Sequence, residues 1–505
     1  MKVKTIKPTP KFWDHETMVI KDDPVDKKLY DKQMLEQFDE SIKFRDGRYE
    51  IKLPRKFDNI DLPNNYDVAK RRIEYLVRRF RKNPSLFKDY KAVINEYLTL
   101  GIVEIVEPQE LNSSNENVTY YLPHHPVIRK DKQTTNLRVI SLSENDRDLT
   151  RFLWVDQLPN DQDNSMKLEI LRMTRVLFGV TSSPFLLGAV IRHHVRKFEI
   201  QYPETSSMIS TSMYVDDLLL RSLTVENTLN VAKESSDIFL KANMLLRKWQ
   251  SNSPELREHL RSLKFDICER VNANPFKILG LIWDIDHDLL RIDNQNLCEF
   301  VNCQEKTKRT IIQATGIKKV TRGLRKKWDN WCEQLQYLNT IKVPRCYFHD
   351  FQGNYDSIEI HCFCDASEKA FGSVIFLRFT IDEKVRTAFL TSKSRLAPIK
   401  RMTLPRLELM GAVVGARLIN RVLSVLKLDA QTYLWTDSNI VLHWVKSSFC
   451  TWKPFVSNRI VEIQNLTNPK DWRHCRGRDN PADRLTRGIT IKDLENDELW
   501  WFGPS

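Results

Sequence analysis

The sequence predicts a multidomain protein in which an α+β part is followed by an α/β part. Its 505 residues are enough for two to four domains. From Ile358 onwards, three strand-like segments, a long amphipathic helix, a fourth strand, further helices and a last strand follow one another, and this order is typical of an α/β domain. Before Ile358, helices and short strands surround an apolar stretch that contains the adjacent carboxylates Asp216 and Asp217.

Charge and composition favour a polyanionic partner. The formal net charge is +13 and the pI is near 9.2. The nine cysteines contain no CxxC pair, so we expect reduced thiols and neither a zinc ribbon nor a disulfide framework. The start, Met1–Lys4, is polar, and no apolar run approaches the roughly 18 residues of a membrane span. We therefore expect a soluble intracellular protein that does not enter a membrane.

The first half begins with a predicted hairpin and a pair of helices. Residues 44–51 predict a β-hairpin with Asp46-Gly47 as its turn. Residues 66–100 show apolar residues at helical spacing, and Gly101 ends the second helix. The first helix also carries many basic residues, which form either a solvated face or a nucleic-acid contact: Lys70, Arg71, Arg72, Arg78, Arg79, Arg81 and Lys82.

The next segments predict strands and helices around a basic turn. Residues 120–128 and 137–140 read as two strands, either of a surface hairpin or of one whose basic side chains face a triphosphate. The adjacent His124 and His125 would point to opposite faces of a strand, so we predict no metal pair. Further predictions are a small-residue loop and helix from 178 to about 199, a helix at 226–243, and strands at 246–253 and 277–284.

The stretch around Tyr214 predicts a hairpin that presents two acids. Ile209, Met213, Val215 and the leucines that follow the acids are strand-like, with a tight turn expected at Val215-Asp216. An exposed Asp-Asp turn is the plain alternative, because turns favour Asp. Adjacent carboxylates repel one another unless a cation lies between them, and their hard oxygens suit Mg²⁺.

These segments together resemble the polymerase region of BEL/Pao-type long-terminal-repeat retrotransposons. The resemblance rests on YYLPHHPVI, LRVI, FGVTSSPF, YVDDLL, LRKWQSNS and KILGLIWD, and extends over residues 10–505. It implies the fingers and palm of a right-hand polymerase that uses template RNA or DNA. It also implies catalytic, metal-binding roles for Asp216 and Asp217, and nucleotide or nucleic-acid contacts for Tyr214, Arg138 and Lys248.

One catalytic strand of that family is missing from this chain. Related reverse transcriptases take a third carboxylate from a strand before the Tyr214 hairpin, but here Ile140 runs directly into the polar segment 141–150. Two metal ions about 3.5–4 Å apart need more ligands than Asp216 and Asp217 provide. A second shortening follows residues 307–312. We therefore expect a truncated palm without polymerase activity, as in a degenerate or mis-spliced element.

The last third of the chain resembles a ribonuclease H domain, through FCDAS, LPRLEL, LWTDS and NPADRLTRG. The resemblance implies two Mg²⁺ ions held by the catalytic acids Asp365, Glu408, Asp437 and Asp483. It also places Ser438 and His474 at the nucleic acid, although a purely structural histidine is the open alternative. Five further residues are expected to contact the substrate backbone: Ser392 and the basic residues Lys393, Arg395, Lys400 and Arg401.

The function predicted from the sequence is therefore cleavage of RNA in RNA–DNA hybrids by a retrotransposon Pol fragment. The alternative is a non-catalytic remnant that binds nucleic acid. We expect a cytoplasmic protein, with the nucleus and virus-like particles as alternatives. We expect no protease activity, because no Asp-Ser/Thr-Gly triplet occurs in the sequence. Labels for this region nevertheless sometimes carry a Pao peptidase name. The predicted parts are an N-terminal extension (1–65), a reverse-transcriptase-like domain (66–290), a shortened connection (291–355), a ribonuclease H-like domain (356–490) and a truncated linker towards an integrase (491–505).

Overall fold

The chain divides into two units, Met1–Glu269 and Arg270–Ser505, each with its own sheets and helices. The structure is a computed structural model. The residues that it describes are 34–54, 65–113, 119–126, 139–159, 166–177, 180, 182–222, 224–267, 276–295, 297–299, 322–346, 357–381, 383–426 and 430–504.

The first unit consists of short strands and longer helices. In chain order these are β1 Lys43–Arg45, β2 Arg48–Ile51, α1 Tyr66–Lys82, α2 Pro84–Thr99, β3 Val103–Ile105, α3 Pro108–Ser113, β4 Ser141–Leu142, α4 Glu144–Arg147, β5 Arg151–Trp154, β6 Glu169–Met173, α5 Ser183–Arg196, α6 Pro203–Ser212, β7 Met213–Tyr214, β8 Asp217–Leu218, α7 Val225–Leu240 and α8 Pro254–Ser262.

Three small sheets organise this unit, with strand orders β1-β2-β4, β3-β6-β5 and β7-β8. The predicted hairpin at 44–51 is confirmed, and both Asp46 and Gly47 have the positive φ that its tight turn requires. The helix pair is confirmed as α1 and α2. Asn83 separates these helices, and its side chain accepts a hydrogen bond from the Leu86 amide at the start of α2.

Two strand predictions in the first unit are wrong, and a third lies partly outside the described residues. Within 120–128, Tyr121 forms only an isolated bridge to Arg151 and the following residues up to 126 are irregular, because Pro123 and Pro126 cannot donate to a ladder. Of the predicted strand 137–140, residues 137 and 138 lie outside the described residues, Val139 and Ile140 are not in a strand, and β4 begins at the next residue. Residues 246–253 contain one isolated bridge, and Lys248 has a φ of 58°, which is incompatible with a strand.

The second unit begins with a four-stranded antiparallel sheet and continues as an α/β domain. Its elements are β9 Lys277–Ile278, β10 Leu281–Asp284, β11 Leu289–Ile292, α9 Arg322–Gln334, β12 Lys342–Pro344, β13 Ser357–Ala366, β14 Ala370–Ile381, β15 Lys384–Leu396, α10 Leu404–Leu426, β16 Gln431–Thr436, α11 Asn439–Lys446, α12 Pro454–Leu466, β17 Trp472–His474, α13 Asp483–Arg487, α14 Ile491–Glu495 and α15 Glu498–Phe502.

The smaller sheet has the order β12-β11-β10-β9 and spans the predicted domain boundary at 290. The single strand predicted at 277–284 is instead the hairpin β9-β10, since Leu279 and Gly280 both have positive φ and turn the chain.

The main sheet has the order β15-β14-β13-β16-β17, in which β13, β14 and β15 are antiparallel, while β16 runs parallel to both β13 and β17. This order of elements is the one predicted from Ile358 onwards. Helices α10, α11 and α12 bury their apolar stripes on one face, whereas residues of the C-terminal segment such as Ala482 and Trp500 cover part of the other. Cys362 and Cys364 are free, buried thiols on the α10 side, as predicted.

Helix α10 is long and apolar enough to span a membrane. This differs from the expectation that no segment of the chain has the length and hydropathy of a membrane span. Its most apolar window of 18 residues has a mean hydropathy of 1.5, and 56% of that window is buried inside the protein. Leu409, Ala412 and Ala416 have no exposed surface, because they pack on the main sheet. Its apolar character is therefore that of a core helix.

Candidate functional site

Four elements of the second unit bring the predicted acids to one edge of the main sheet. Asp365 is the penultimate residue of β13, and Asp437 directly follows β16. The two strands are parallel neighbours with Cys364 opposite Thr436, so the two acids leave paired positions about 5 Å apart across the ladder. Glu408 lies near the start of α10, and Asp483 is the first residue of α13.

Two glycines let α10 approach the strand that carries Asp365. A Cβ atom added at Gly411 would lie only 2.8 Å from the Asp365 carbonyl oxygen. One turn later, a Cβ at Gly415 would collide with the Cys364 sulfur. Because the helix can pack this closely, Glu408, which lies one turn before Gly411, stays near the edge of the sheet.

Short hydrogen bonds and one ion pair fix the carboxylates. The Thr486 hydroxyl donates to Asp365 Oδ2, and Ser367 Oγ donates to the Thr486 carbonyl at 2.7 Å. Arg487 Nε lies 2.5 Å from Asp483 Oδ1. Helix α13 therefore holds Asp365 through Thr486 and Asp483 through Arg487.

Ser438 links the third and fourth elements of the site. Its hydroxyl donates to Glu408 Oε2 at 2.6 Å and accepts from the Val441 amide, which makes it the N-cap of α11. Ser438 was predicted to contact nucleic acid, but its hydroxyl is buried against Glu408. The structure therefore places it as a residue that orients this acid.

Burial and neighbouring charges raise the pKa values of three of the acids. Burial, together with the nearby charges of Asp437 and Asp483, raises the pKa of Asp365 to about 6, although the Thr486 hydrogen bond lowers it. Burial and the charge of Asp437 raise the pKa of Glu408. Burial and the charge of Asp483 likewise raise the pKa of Asp437. The four carboxylates thus interact as one negatively charged group.

The donor set of this group suits a hard divalent cation. Carboxylate oxygens are the preferred ligands of Mg²⁺, and mutual repulsion of the acids is relieved by a bound positive charge. In the described part of the chain, no three such side chains are close enough to form a ready-made metal centre. The partners Thr486, Ser438 and Arg487 each engage one carboxylate, so cation binding would replace or rearrange these contacts.

His474 lies beside Asp437 at the end of β17. Its side chain is exposed, and its charge lowers the pKa of Asp437 against the dominant effect of burial. The chain then passes close to Asp437, since a Cβ added at Gly477 would lie 3.3 Å from Asp437 Oδ2.

Three contributors were missed at the level of the sequence. Thr486 and Arg487 lie within NPADRLTRG, where only Asp483 was singled out. Asn480 of the same motif is fully buried, and its amide donates to the Cys364 carbonyl at 3.0 Å while its Oδ1 accepts from the Ala482 amide. One further sequence signal was available. Gly411 and Gly415 have i, i+4 spacing in an apolar helix, which indicates that another element packs closely on that face of α10.

In the first unit, the predicted Tyr214 hairpin is confirmed. Tyr214 pairs with Asp217, and Val215 has a φ of 54° in the turn. Tyr214, Asp216 and Asp217 are all exposed. Ile209, predicted as a strand residue, instead lies buried in α6. Within the described residues, β7 and β8 pair only with each other, so no further strand brings an acid beside them.

Two of the three acids of 141–150, Asp146 and Asp148, are engaged by residues outside that hairpin. Asp146 is buried and its Oδ2 accepts from the Leu53 amide at 2.9 Å. Asp148 forms ion pairs with Arg151 and Arg172, and these lower its pKa against burial. After the short strand β4, residues 144–150 are helical, which agrees with the prediction that the acids of this segment do not lie on a buried strand.

The remaining predicted residues of the first unit are less informative. Lys248 is exposed, and its backbone amide donates to Asp266. Arg138 lies outside the described residues. His124 is no metal ligand in this arrangement, because its Nδ1 lies 2.7 Å from the Tyr90 hydroxyl and its Nε2 lies 2.7 Å from the Leu153 carbonyl oxygen.

Comparison with known proteins gives one family match. Residues 312–438 match the family model described as a Pao retrotransposon-like RNaseH-like domain. The match contains Asp365, Glu408 and Asp437 and confirms the resemblance to Pao-type retrotransposon Pol proteins. No curated protein matches the chain.

Two solved structures are similar to parts of this chain. A foamy viral protease-reverse transcriptase in complex with dsDNA is similar over 76% of this chain and 82% of its own, at 12% identity and a TM-score of 0.41. The N-terminal RNase H domain of a Mycobacterium tuberculosis protein, fused to maltose binding protein, is similar over 26% and 92%, at 20% identity and a TM-score of 0.18. At these scores the fold of the second unit rests on its own sheet order and on the family match.

Proposed function

Because the chain carries a Pao retrotransposon-like RNaseH-like domain, we propose that its second unit cleaves the RNA strand of RNA–DNA hybrids with the help of Mg²⁺. One observation carries the proposal. Asp365, Glu408, Asp437 and Asp483 come from four separate segments, and burial together with neighbouring carboxylate charges raises the pKa values of Asp365, Glu408 and Asp437. A fold tolerates such mutual repulsion where a bound cation relieves it.

The four acids would hold two Mg²⁺ ions, which would supply an activated water and stabilise the leaving oxygen of a phosphodiester. The chain's own residues orient these acids: Ser438 holds Glu408, Thr486 holds Asp365, and Arg487 neutralises Asp483 until a cation does so. The exposed imidazole of His474 beside Asp437 is placed to assist proton transfer or product release. Products would be a 5′-phosphate and a 3′-hydroxyl.

A positive surface near Glu408 supports a nucleic-acid substrate. Arg406 and Arg459 lie on the Phe455 ring, with guanidinium carbons 5.0 and 3.6 Å from its centre. Burial, together with Arg395 and Arg417, lowers the pKa of Lys393. Cations that crowd together in this way attract a polyanion such as the backbone of a hybrid, whose shape and 2′-hydroxyl groups would distinguish RNA.

The test is cleavage of an RNA–DNA hybrid, labelled on the RNA strand, by the full-length chain in millimolar Mg²⁺. Asp365→Asn and Asp437→Asn should each reduce the rate by more than about 100-fold, which exceeds the usual effect of a residue that only orients a ligand. Glu359→Gln is the matched control. It removes an acid from the same strand, about 20 Å from Asp365, where it pairs with Arg378. Equal residual cleavage in wild type and both Asn variants contradicts the proposal.

A non-catalytic remnant that binds nucleic acid is the second candidate. The ion pair between Arg487 and Asp483, and the absence of a ready-made three-ligand centre in the described residues, favour it. It predicts that the wild-type chain binds the hybrid in Mg²⁺ without cutting it. Substitution Arg487→Gln separates the two candidates, because freeing Asp483 accelerates cleavage only if the acids bind catalytic ions.

For the first unit we propose that the polymerase site is inactive. Two observations support this: β7-β8 stands alone among the described strands, and Asp146 and Asp148 are engaged elsewhere. Primer extension on an RNA template should give no synthesis above background in the wild type or in Asp216→Asn. Synthesis that Asp216→Asn abolishes would show that a third acid completes the site.

A further inference from the structure

A basic groove in the first unit lies along helix α1, remote in sequence from the acids of the second unit. Its volume is about 510 Å³. One wall is a single face of α1, and the other is the irregular segment after Tyr121. The residues that line it are Val68, Arg71, Arg72, Tyr75, Leu76, Arg79, Pro123, His124 and His125.

The charge of the groove is uniformly positive or neutral. Arg71, Arg72 and Arg79 are exposed, and none of the lining residues is acidic. Arg72 and Arg79 are seven residues apart on the helix, which places them about 10 Å apart along its axis. A nucleic-acid strand laid along that distance offers more than one phosphate to the guanidinium groups.

Tyr75 adds an unpaired aromatic surface to these charges. Its side chain is 72% exposed, although it lies on the same face as Arg72 and Arg79 and midway between them. An exposed ring beside arginines is the combination that binds single strands, since each unpaired base has a π-face on which a ring can stack. In a duplex, neighbouring bases already cover both faces of each base.

Both walls of the groove are held in place. The opposite face of α1 is buried through residues such as Ile73, Val77 and Phe80. The other wall is attached by two hydrogen bonds between the Asn65 side chain and the Tyr121 backbone, and by the two contacts of His124. A ligand therefore meets a groove that is already formed, which reduces the entropic cost of binding.

We infer that this groove binds single-stranded nucleic acid, with Arg71, Arg72 and Arg79 on phosphates and Tyr75 stacked on an unpaired base. This second site is independent of hybrid cleavage by the other unit. It would let the chain hold the unpaired part of a partly duplex nucleic acid.

Fluorescence anisotropy of the full-length chain in EDTA, with labelled oligothymidylate and oligouridylate, tests the inference. Arg72→Glu/Arg79→Glu should weaken binding at least about 10-fold and reduce the slope of log K against log salt by about 1.4, which is the loss of two phosphate contacts. The control is Lys70→Glu/Arg78→Glu, with the same change of charge on a flank of α1 outside the groove. It should change the affinity less than about threefold.

Tyr75→Ala provides a second test, because the substitution removes the aromatic ring without changing the charge of the groove. It should weaken single-strand binding by roughly 5- to 100-fold with an unchanged salt slope, and leave duplex binding unaltered. Because Tyr75 is exposed, this variant should keep the wild-type Tm. Equal losses in the two charge-reversed doubles, or no effect of Tyr75→Ala on single strands, would overturn the inference. Equal weakening of single strands and duplex by Tyr75→Ala would do so as well.

Discussion

Substitution of Asp365 by Asn should stabilise the protein while abolishing cleavage. Asp365 is only 6% exposed, and its pKa is raised to about 6 from an ordinary value of 3.8. A difference of about two pKa units corresponds to about 3 kcal/mol of unfavourable free energy once the carboxyl is ionised in the folded chain. The amide carries no charge and can still accept the hydrogen bond from Thr486.

The dependence on pH follows from the direction of this shift. Between about pH 4 and pH 6 the folded chain binds more protons than the unfolded chain, so the Asp365 contribution to the free energy of unfolding falls as the pH rises. The penalty is absent below about pH 4 and complete above about pH 6. Asp365→Asn should therefore gain stability at neutral pH and little at about pH 4.

Thermal and urea unfolding in a chelator measure the effect. We expect a gain of about 1 to 3 kcal/mol at neutral pH, or roughly 2 to 10 °C in Tm for a unit of this size. Millimolar Mg²⁺ should raise the Tm of the wild type more than that of the variant, because it binds the complete set of acids better. The control Glu359→Gln should lower stability instead, since the hydrogen bond with His361 and the ion pair with Arg378 lower the Glu359 pKa although burial raises it. A variant less stable than the wild type at neutral pH in chelator would refute the reasoning.

Three further substitutions probe the support of the acids. Gly411→Ala should cost about 1–3 kcal/mol of stability and reduce hybrid cleavage, because the new Cβ would clash with the Asp365 carbonyl. The clash outweighs the gain in helix propensity from Gly to Ala. Urea titration measures the stability, and the hybrid assay measures the cleavage rate. Thr486→Val removes the hydrogen bond that lowers the Asp365 pKa, so the acidic limb of the pH–rate profile should move to higher pH; an unchanged limb contradicts this role. Asn480→Ala removes the hydrogen bonds that this buried side chain makes to the Cys364 carbonyl and from the Ala482 amide, and it should cost about 1–3 kcal/mol by urea titration; a neutral effect would show that water replaces the amide.

Local chemistry was sufficient to predict many individual elements. Asp46-Gly47 permits one tight turn between two strands, and the apolar spacing of α10 is helical whatever it packs against. The order of the second unit follows from the same kind of signal, because β13, β14 and β16 are rich in apolar and β-branched residues and α10 has apolar residues at helical spacing. The strand predictions at 120–128 and 246–253 failed because apolar and β-branched residues favour a strand only where a neighbouring strand is available to pair.

The sequence by itself determined the residue types and the order in which the four acids of the second unit follow one another. Only the tertiary structure decided that Thr486 meets Asp365 and that Ser438 meets Glu408, whereas Arg487 and Asp483 form a local i, i+4 pair. The first two contacts join residues 121 and 30 positions apart, and no local pattern encodes such pairing. The burial that raises the carboxylate pKa values likewise exists only once the sheet edge, α10 and α13 have come together.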